Sequence, residues 1–255
     1  MDRSLYVAMT GAKQTLLAQT ANANNLANSQ TAAFKSDFEQ FRAMPVFGPG
    51  YPSRVFSMAE RPGTDFSSGT LQATGRDLDV AVDGQGWIAV QAKDGTEAYT
   101  RAGDLKMTPE GLLQTGNGLP VLGDSGNPIV IPPIRKIEIG SDGTISIVPQ
   151  GANSASAVIL ERIKLVNPAR DSLEKGNDGL IRLKQGTPPG TGTTTGATPD
   201  LNVKLVQGSL ESSNVNVMSA LVDMIELSKN FELQVKAMKS ADDNAGATAK
   251  LMQLA

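Results

Sequence analysis

Ala23-Asn24-Asn25-Leu26-Ala27-Asn28, followed by Thr31-Ala32-Ala33-Phe34-Lys35, closes the first periodic segment of this 255-residue chain. Upstream, Leu5, Met9, Ala12, Leu16, Gln19, Ala23 and Leu26 recur in alternating steps of four and three. That is the spacing of a coiled-coil seam, with Gln19 as its polar break. Ala8, Gly11, Ala18, Ala21 and Ala27 keep the rod thin, so other backbones can approach it from several sides. The pattern predicts a helix over 4–28. It stops near Asn28 because asparagine competes with the helical backbone.

The other end repeats the device. Val217, Leu221, Met224, Ser228, Phe231, Val235 and Met238 again step by four and three, with Ser228 as the polar break. A helix from about Val215 towards the C-terminus is expected, capped by Ser213 or Asn214, with Gly246 fraying its last turn. The two helices would span roughly 37 Å and 50 Å at the standard rise. A pair can bury one seam. It cannot also hide Leu16, Leu17, Ile225, Leu227, Leu233 and Met238, and exposed apolar stripes of this kind mark interaction surfaces. The plainer alternative is a two-helix stalk docked on its own domain.

Between the helices the period changes. Residues 36–68 hold Pro45, Gly48, Pro49, Gly50, Pro52, Pro62 and Gly63, with Phe38, Phe41, Phe47, Tyr51, Phe56 and Phe66 spaced through them. This reads as an extended connector that packs against neighbours, or as a loop on its own domain. Residues 69–183 read as short strands: Leu78 to Val82, Trp87 to Val90, Glu97 to Arg101, Ile129 to Ile131, Ile137 to Ile139, Ile145 to Val148 and Ala157 to Val166. Asp83-Gly84, Asp94-Gly95 and Asp142-Gly143 punctuate them as turns. A compact barrel or sandwich is the expected form. Residues 186–199 are low in complexity and read as an exposed, mobile loop, with changes at 190–197 tolerated. The fold class is therefore α+β. Terminal helices over 1–35 and 213–255 pair as a coiled coil, the connector spans 36–68, and a β-rich domain spans 69–212.

Composition narrows the chemistry. Neither Cys nor His is present, which removes thiolate sites, disulfides, the commonest metal ligand and the commonest general base. Net charge is −3 without a basic cluster, a poor match for nucleic acid. No segment approaches the roughly 20 apolar residues of a membrane span. The longest early apolar run, Leu5 to Met9, is too short for a secretory signal. Asp77, Asp79 and Asp83 miss the calcium-loop spacing, with Asp77 and Asp79 expected to point outward and Asp83 to open a turn. Gly84-Gln85-Gly86 matches a dinucleotide fingerprint by letters only, since a strand follows it. No cofactor or metal is expected, and no catalytic residue stands out. A glycan hydrolase would need two carboxylates facing each other across a cleft, and no motif supplies them. An adhesin-like fibre unit is the third reading.

Asn24, Asn25, Leu26, Ala27 and Asn28, with Thr31, Phe34 and Lys35, resemble the N-terminal signature of the flagellar basal-body rod and hook proteins. Gly69-Thr70-Leu71, Leu78 to Gly84, Gly86-Trp87, Tyr99-Thr100-Arg101 and Gly103 are similar to the centre of that family. Gly208-Ser209-Leu210-Glu211 and Ser213-Asn214-Val215 are similar to its end. The match runs nearly the whole chain in order. The opening Tyr6 to Ala12 and Trp87 to Val90 favour the proximal rod branch over the distal rod and hook branches. Where the family carries Gly, permitting a positive φ, this chain has Ala33, so the turn there is left open. Ser228-Lys229-Asn230-Phe231 is a looser match. The resemblance implies a non-enzymatic rod subunit that polymerises through its terminal helices and transmits torque. Copies of itself and other proximal and distal rod proteins would be its partners, with the flagellar type III export apparatus handling it without a cleavable signal. Another axial position, such as the distal rod, is the alternative. The assembly seam would comprise Leu5, Met9, Ala12, Leu16, Ala23, Leu26, Val217, Leu221, Met224, Phe231, Val235 and Met238.

Overall fold

Asparagine and serine side chains end the first helix by taking over its last carbonyls. In a computed structural model describing residues 4–45, 55–59, 63–149, 158–184 and 196–253, helix α1 runs Ser4–Ala27. Asn28 Nδ2 donates to Asn24 O at 3.0 Å and Ser29 Oγ to Leu26 O at 2.8 Å. Helix α2 runs Val217–Gln253, with Gly246 inside it rather than fraying its end. Its cap is Asn216, not Ser213 or Asn214: Asn216 Oδ1 accepts from the amides of Met218 (3.0 Å) and Ser219 (3.2 Å). Asn214 is engaged elsewhere, its amide donating to Phe34 O at 3.2 Å. The chain is α+β and forms two compact units, one of residues 1–29, 36–65 and 215–255, the other of 30–35 and 66–214.

In the first unit α1 and α2 lie side by side. Strands β1 (Asp37–Phe38) and β4 (Gly63–Thr64) pair antiparallel, as do β2 (Phe41–Pro45) and β3 (Val55–Ala59). The segment read as a connector thus carries paired strands over its described part, and β1 and β3 lie against α1. Asn25 joins helix to strand: its Nδ2 donates to Asp37 O at 2.7 Å and its Oδ1 accepts from Asp37 N at 2.9 Å. Phe47, Tyr51 and the prolines beside them lie outside the described residues, as do 186–195 of the low-complexity loop and Ala157.

The second unit is all strand. Its elements are β5 (Leu71–Ala73), β6 (Val80–Asp83), β7 (Trp87–Gln91), β8 (Glu97–Thr100), β9 (Leu105–Met107), β10 (Leu113–Thr115), β11 (Ile134–Ile139), β12 (Thr144–Pro149), β13 (Val158–Arg162), β14 (Leu165–Val166), β15 (Leu173–Lys175), β16 (Ile181–Leu183), β17 (Lys204–Gln207) and β18 (Ser209–Glu211). They pair into open sheets rather than a closed barrel. A five-stranded antiparallel sheet orders β14-β7-β8-β16-β15 and a three-stranded one β11-β12-β13, while β17 joins β6 and β18 joins β5. Alternation along β7 and β8 feeds two cores. Ile88, Val90 and Ala98 enter the larger, while Trp87, Ala89 and Tyr99 enter the smaller. Both faces are covered, which explains the unbroken apolar run Trp87-Ile88-Ala89-Val90. The expected Asp-Gly turns form, with Gly95 at φ 81° and Gly143 at φ 86°. One expectation fails: Asp79 does not face outward but is buried, held by the Thr74 hydroxyl at 2.6 Å.

Candidate functional site

In the first unit three contacts fix the direction of the helix pair. Gln234 packs on Gly11, Gln19 Nε2 donates to Ser228 Oγ at 3.4 Å, and Asn22 Nδ2 to Ala220 O at 2.7 Å. Residue numbers rise on one helix as they fall on the other, so the pair is antiparallel. The two polar breaks in the heptad patterns meet each other. Ala8 and Ala12 are buried on α1, with Thr15, Gln19, Asn22 and Leu26 half-buried. On α2, Ala220 is buried and Met224, Leu227, Gln234, Met238 and Ala241 half-buried. Both sets step by four and three, apart from one step of seven from Leu227 to Gln234. The pair therefore closes on a mixed face, alanines and polar residues with Leu26, Met224, Leu227 and Met238 among them, that lies beside the exposed large-residue stripe.

The predicted seam is split by this choice. Ala12, Leu26, Met224 and Met238 reach the interface. Leu5, Met9, Leu16, Ala23, Val217, Leu221, Phe231 and Val235 remain exposed, with Met9 and Leu16 both at 52%. At about 100° per residue, most of these lie about a quarter turn from the interface. Antiparallel helices turned by the same angle in the same sense present their stripes on the same side. The exposed seam residues of α1 and α2 thus form one shared apolar face. The opposite flank of α1, with half-buried Val7, Gln14, Ala18 and Asn25, is the one bonded to β1. Reading large side chains alone hid the true interface. The signal for it was the heptad of small residues starting at Ala8.

In the second unit the distant motifs converge on one carboxylate. Glu211, 1% exposed, accepts from Lys35 Nζ at 2.6 Å and from Gly69 N at 2.9 Å on Oε1, while its Oε2 lies 2.8 Å from Arg101 Nε as an ion pair without a hydrogen bond. Lys35 Nζ also donates to Ser67 O at 2.7 Å. Arg101 Nη2 reaches Val82 O at 3.2 Å and Gly84 O at 2.7 Å, and Nη1 reaches Ser68 Oγ at 3.2 Å. Burial pulls the Arg101 guanidinium below its ordinary value, Glu211 opposes this, and the nearby charge of Arg170 adds to it. The Phe34 ring carries Lys175 Nζ at 4.3 Å from its centroid. Four stretches quoted separately from the sequence, at 34–35, 69, 101 and 208–211, are therefore one structure. Nothing in their spacing foretold it. Of the remaining signature residues, Asn25 binds Asp37, Asn24 and Ala27 are exposed, and Asn28 is half-buried.

Ala33 settles the turn its identity left open. It adopts φ 55°, the conformation glycine would favour, and its amide donates to Glu211 O at 2.8 Å. The backbone bond and the buried cluster beside it hold an alanine where it is disfavoured by roughly 1–2 kcal/mol.

The other titrating groups are structural. Asp94 and Asp142 are held below the usual carboxylate range by the hydroxyls and amides of Thr96 and Thr144 in their turns, and Asp178 by Arg182. Burial pushes the Tyr99 phenol up, and its oxygen accepts from Ala197 N at 2.7 Å. Among the described residues no group of three acidic side chains is placed to hold a metal ion, and no helix is long and apolar enough to cross a membrane.

Two family models match. One, described as the flagellar basal body rod FlgEFG protein C-terminal, covers residues 206–251, and the other, the flagellar hook protein FlgE/F/G D1 domain, covers 81–147. The flagellar basal-body rod protein FlgF of Escherichia coli K12 is 41% identical over 254 residues, covering 100% of both chains. The FlgF protein of Salmonella typhimurium LT2 is 39% identical with the same coverage. The flagellar basal-body rod protein FlgG of Bacillus subtilis 168 is 33% identical over 95% of this chain and 96% of its own.

Proposed function

The chain belongs to the family of flagellar basal-body rod proteins, and on that premise we propose that it is a structural subunit of the proximal rod of the bacterial flagellar basal body. Its role is mechanical rather than catalytic. It polymerises with copies of itself and with other rod proteins, and it transmits torque along the shaft. The observation that carries the assembly reading is the shared apolar face of α1 and α2. Leu5, Met9, Leu16, Val217, Leu221 and Val235 all stay at least 37% exposed on a pair that has already closed. Burying such a face contributes roughly 25 cal/mol per Å². Dense packing of the resulting coiled-coil layers would resist shear. Delivery through the flagellar type III export apparatus puts the subunit in the periplasmic part of the basal body.

A deletion of the gene in its host, with basal bodies purified and imaged, tests this. Non-motile cells with basal bodies arrested before the distal rod and hook are the expected result. A complete rod lacking only later structures would move the chain to the distal rod or another axial position. Normal motility would remove it from the shaft.

A further inference from the structure

A cavity of about 280 Å³ opens on the second unit beside the Glu211 cluster, lined among others by Trp87, Ser68, Gln85, Arg101, Asn167 and Arg170. Its size suits one side chain rather than a metabolite. Arg101 is 3% exposed and has five N–H donors. Val82, Gly84 and Ser68 take three of them and Nε stands in ion-pair contact with Glu211, leaving one on Nη1, the nitrogen directed at Ser68 in the cavity wall. Arg170, exposed at the rim, makes no ion pair among the described residues. Two guanidinium groups therefore stand near each other, with one carboxylate on the far edge of Arg101. Two side-chain amides, Gln85 and Asn167, and the Trp87 ring, which Arg101 overlies at 5.8 Å, complete the wall. Like charges held together at a cavity mark a place prepared for an opposite charge. Planar bidentate donors match a carboxylate.

We propose that this cavity receives an acidic side chain, Asp or Glu, of a neighbouring subunit, held by Arg170 and the spare Nη1 donor of Arg101. The word neighbouring rests on the rod reading above; the carboxylate site itself does not. The chain carries 26 acidic residues against 23 basic ones, so a second copy has such groups to offer.

Trp87 is the only tryptophan in the chain and reports on the cavity directly. The purified full-length chain is titrated with N-acetylglutamate methylamide and, separately, with N-acetylglutamine methylamide at constant ionic strength. The expected result is a saturable change in Trp87 fluorescence for the acid alone, in the millimolar range, weakened about tenfold by Arg170→Ala. Equal responses to both compounds, or an unchanged midpoint in Arg170→Ala, overturn the site. The source of the carboxylate is read in cells. Arg170→Glu should block rod assembly while Arg170→Lys supports it. Normal motility with Arg170→Glu overturns the neighbouring-subunit assignment and leaves a free-anion site. Absence of any motility defect on deleting the gene would instead fail the rod reading, and the titration would stand apart from it.

Discussion

The two units solve opposite problems. The β-rich unit is finished: Ile88, Val90, Leu105, Leu113 and Ile163 are fully buried, and its distant segments are tied by a buried charge cluster at Glu211. The helical unit is half of something. Its pair closes on alanines and polar side chains with Leu26, Met224, Leu227 and Met238 half-buried among them, and most of its other Leu, Met and Val residues face solvent. Helical stability comes mostly from packing an apolar face. A sequence that puts most of its small residues on the intrachain contact and leaves most of its large ones outside reserves much of that stability for partners. The difference separates what folding must achieve alone from what assembly must add.

Aspartate at Leu16 or Leu221 breaks the comparison most sharply. Both side chains are exposed in the single chain, so unfolding of the β-rich unit, read by Trp87 fluorescence, should not move, while rod assembly in cells is lost. Intact assembly in both variants would reject the shared face as the assembly surface. Glu211→Gln acts on the other unit. It removes a buried carboxylate from Lys35 and Arg101 and should lower the stability of the β-rich unit by about 3 kcal/mol in urea unfolding. A loss below about 1 kcal/mol would show that the cluster contributes little net stability.

Titration separates the units again. Tyr99 has its folded pKa raised from 10.0, so its contribution is present below that value and is lost as pH rises above it. The Trp87 transition should weaken above pH 10, and Tyr99→Phe should remove that dependence. Asp94 and Asp142, both lowered from 3.8, contribute above that value and lose their contribution as pH falls below it. Ala33→Gly should raise stability by about 1 kcal/mol, because φ 55° is open to glycine. The smallest effect is expected from Gly246→Ala. An added Cβ there meets nothing within 4 Å, and helix propensity favours alanine by roughly 0.8–1.0 kcal/mol. Far-UV dichroism of the full chain reads the gain in helix.

Much of this was legible in residue order. Period marked both helices, and Asp-Gly pairs marked the turns at Gly95 and Gly143, because those signals are local. The helix-pair interface was read only in part, through Ala12, Leu26, Met224 and Met238, because a heptad beginning at Ala8 is as regular as one beginning at Leu5 and size drew attention to the outer stripe. The cap at Asn216 was missed because Ser213 and Asn214 are equally good cap residues until tertiary contacts claim them. The cluster joining Lys35, Arg101 and Glu211 could not be read at all. Three charges 66 and 110 residues apart meet only through strand pairing, which leaves no trace in spacing.

Hydrogen exchange on the dilute single chain tests the contrast between the units most directly. The amides of Ile88, Val90 and Tyr99 should exchange slowly, and those of α1 and α2 faster by orders of magnitude, gaining protection only in assembled rods. Equal protection of both units in the dilute chain would contradict the account.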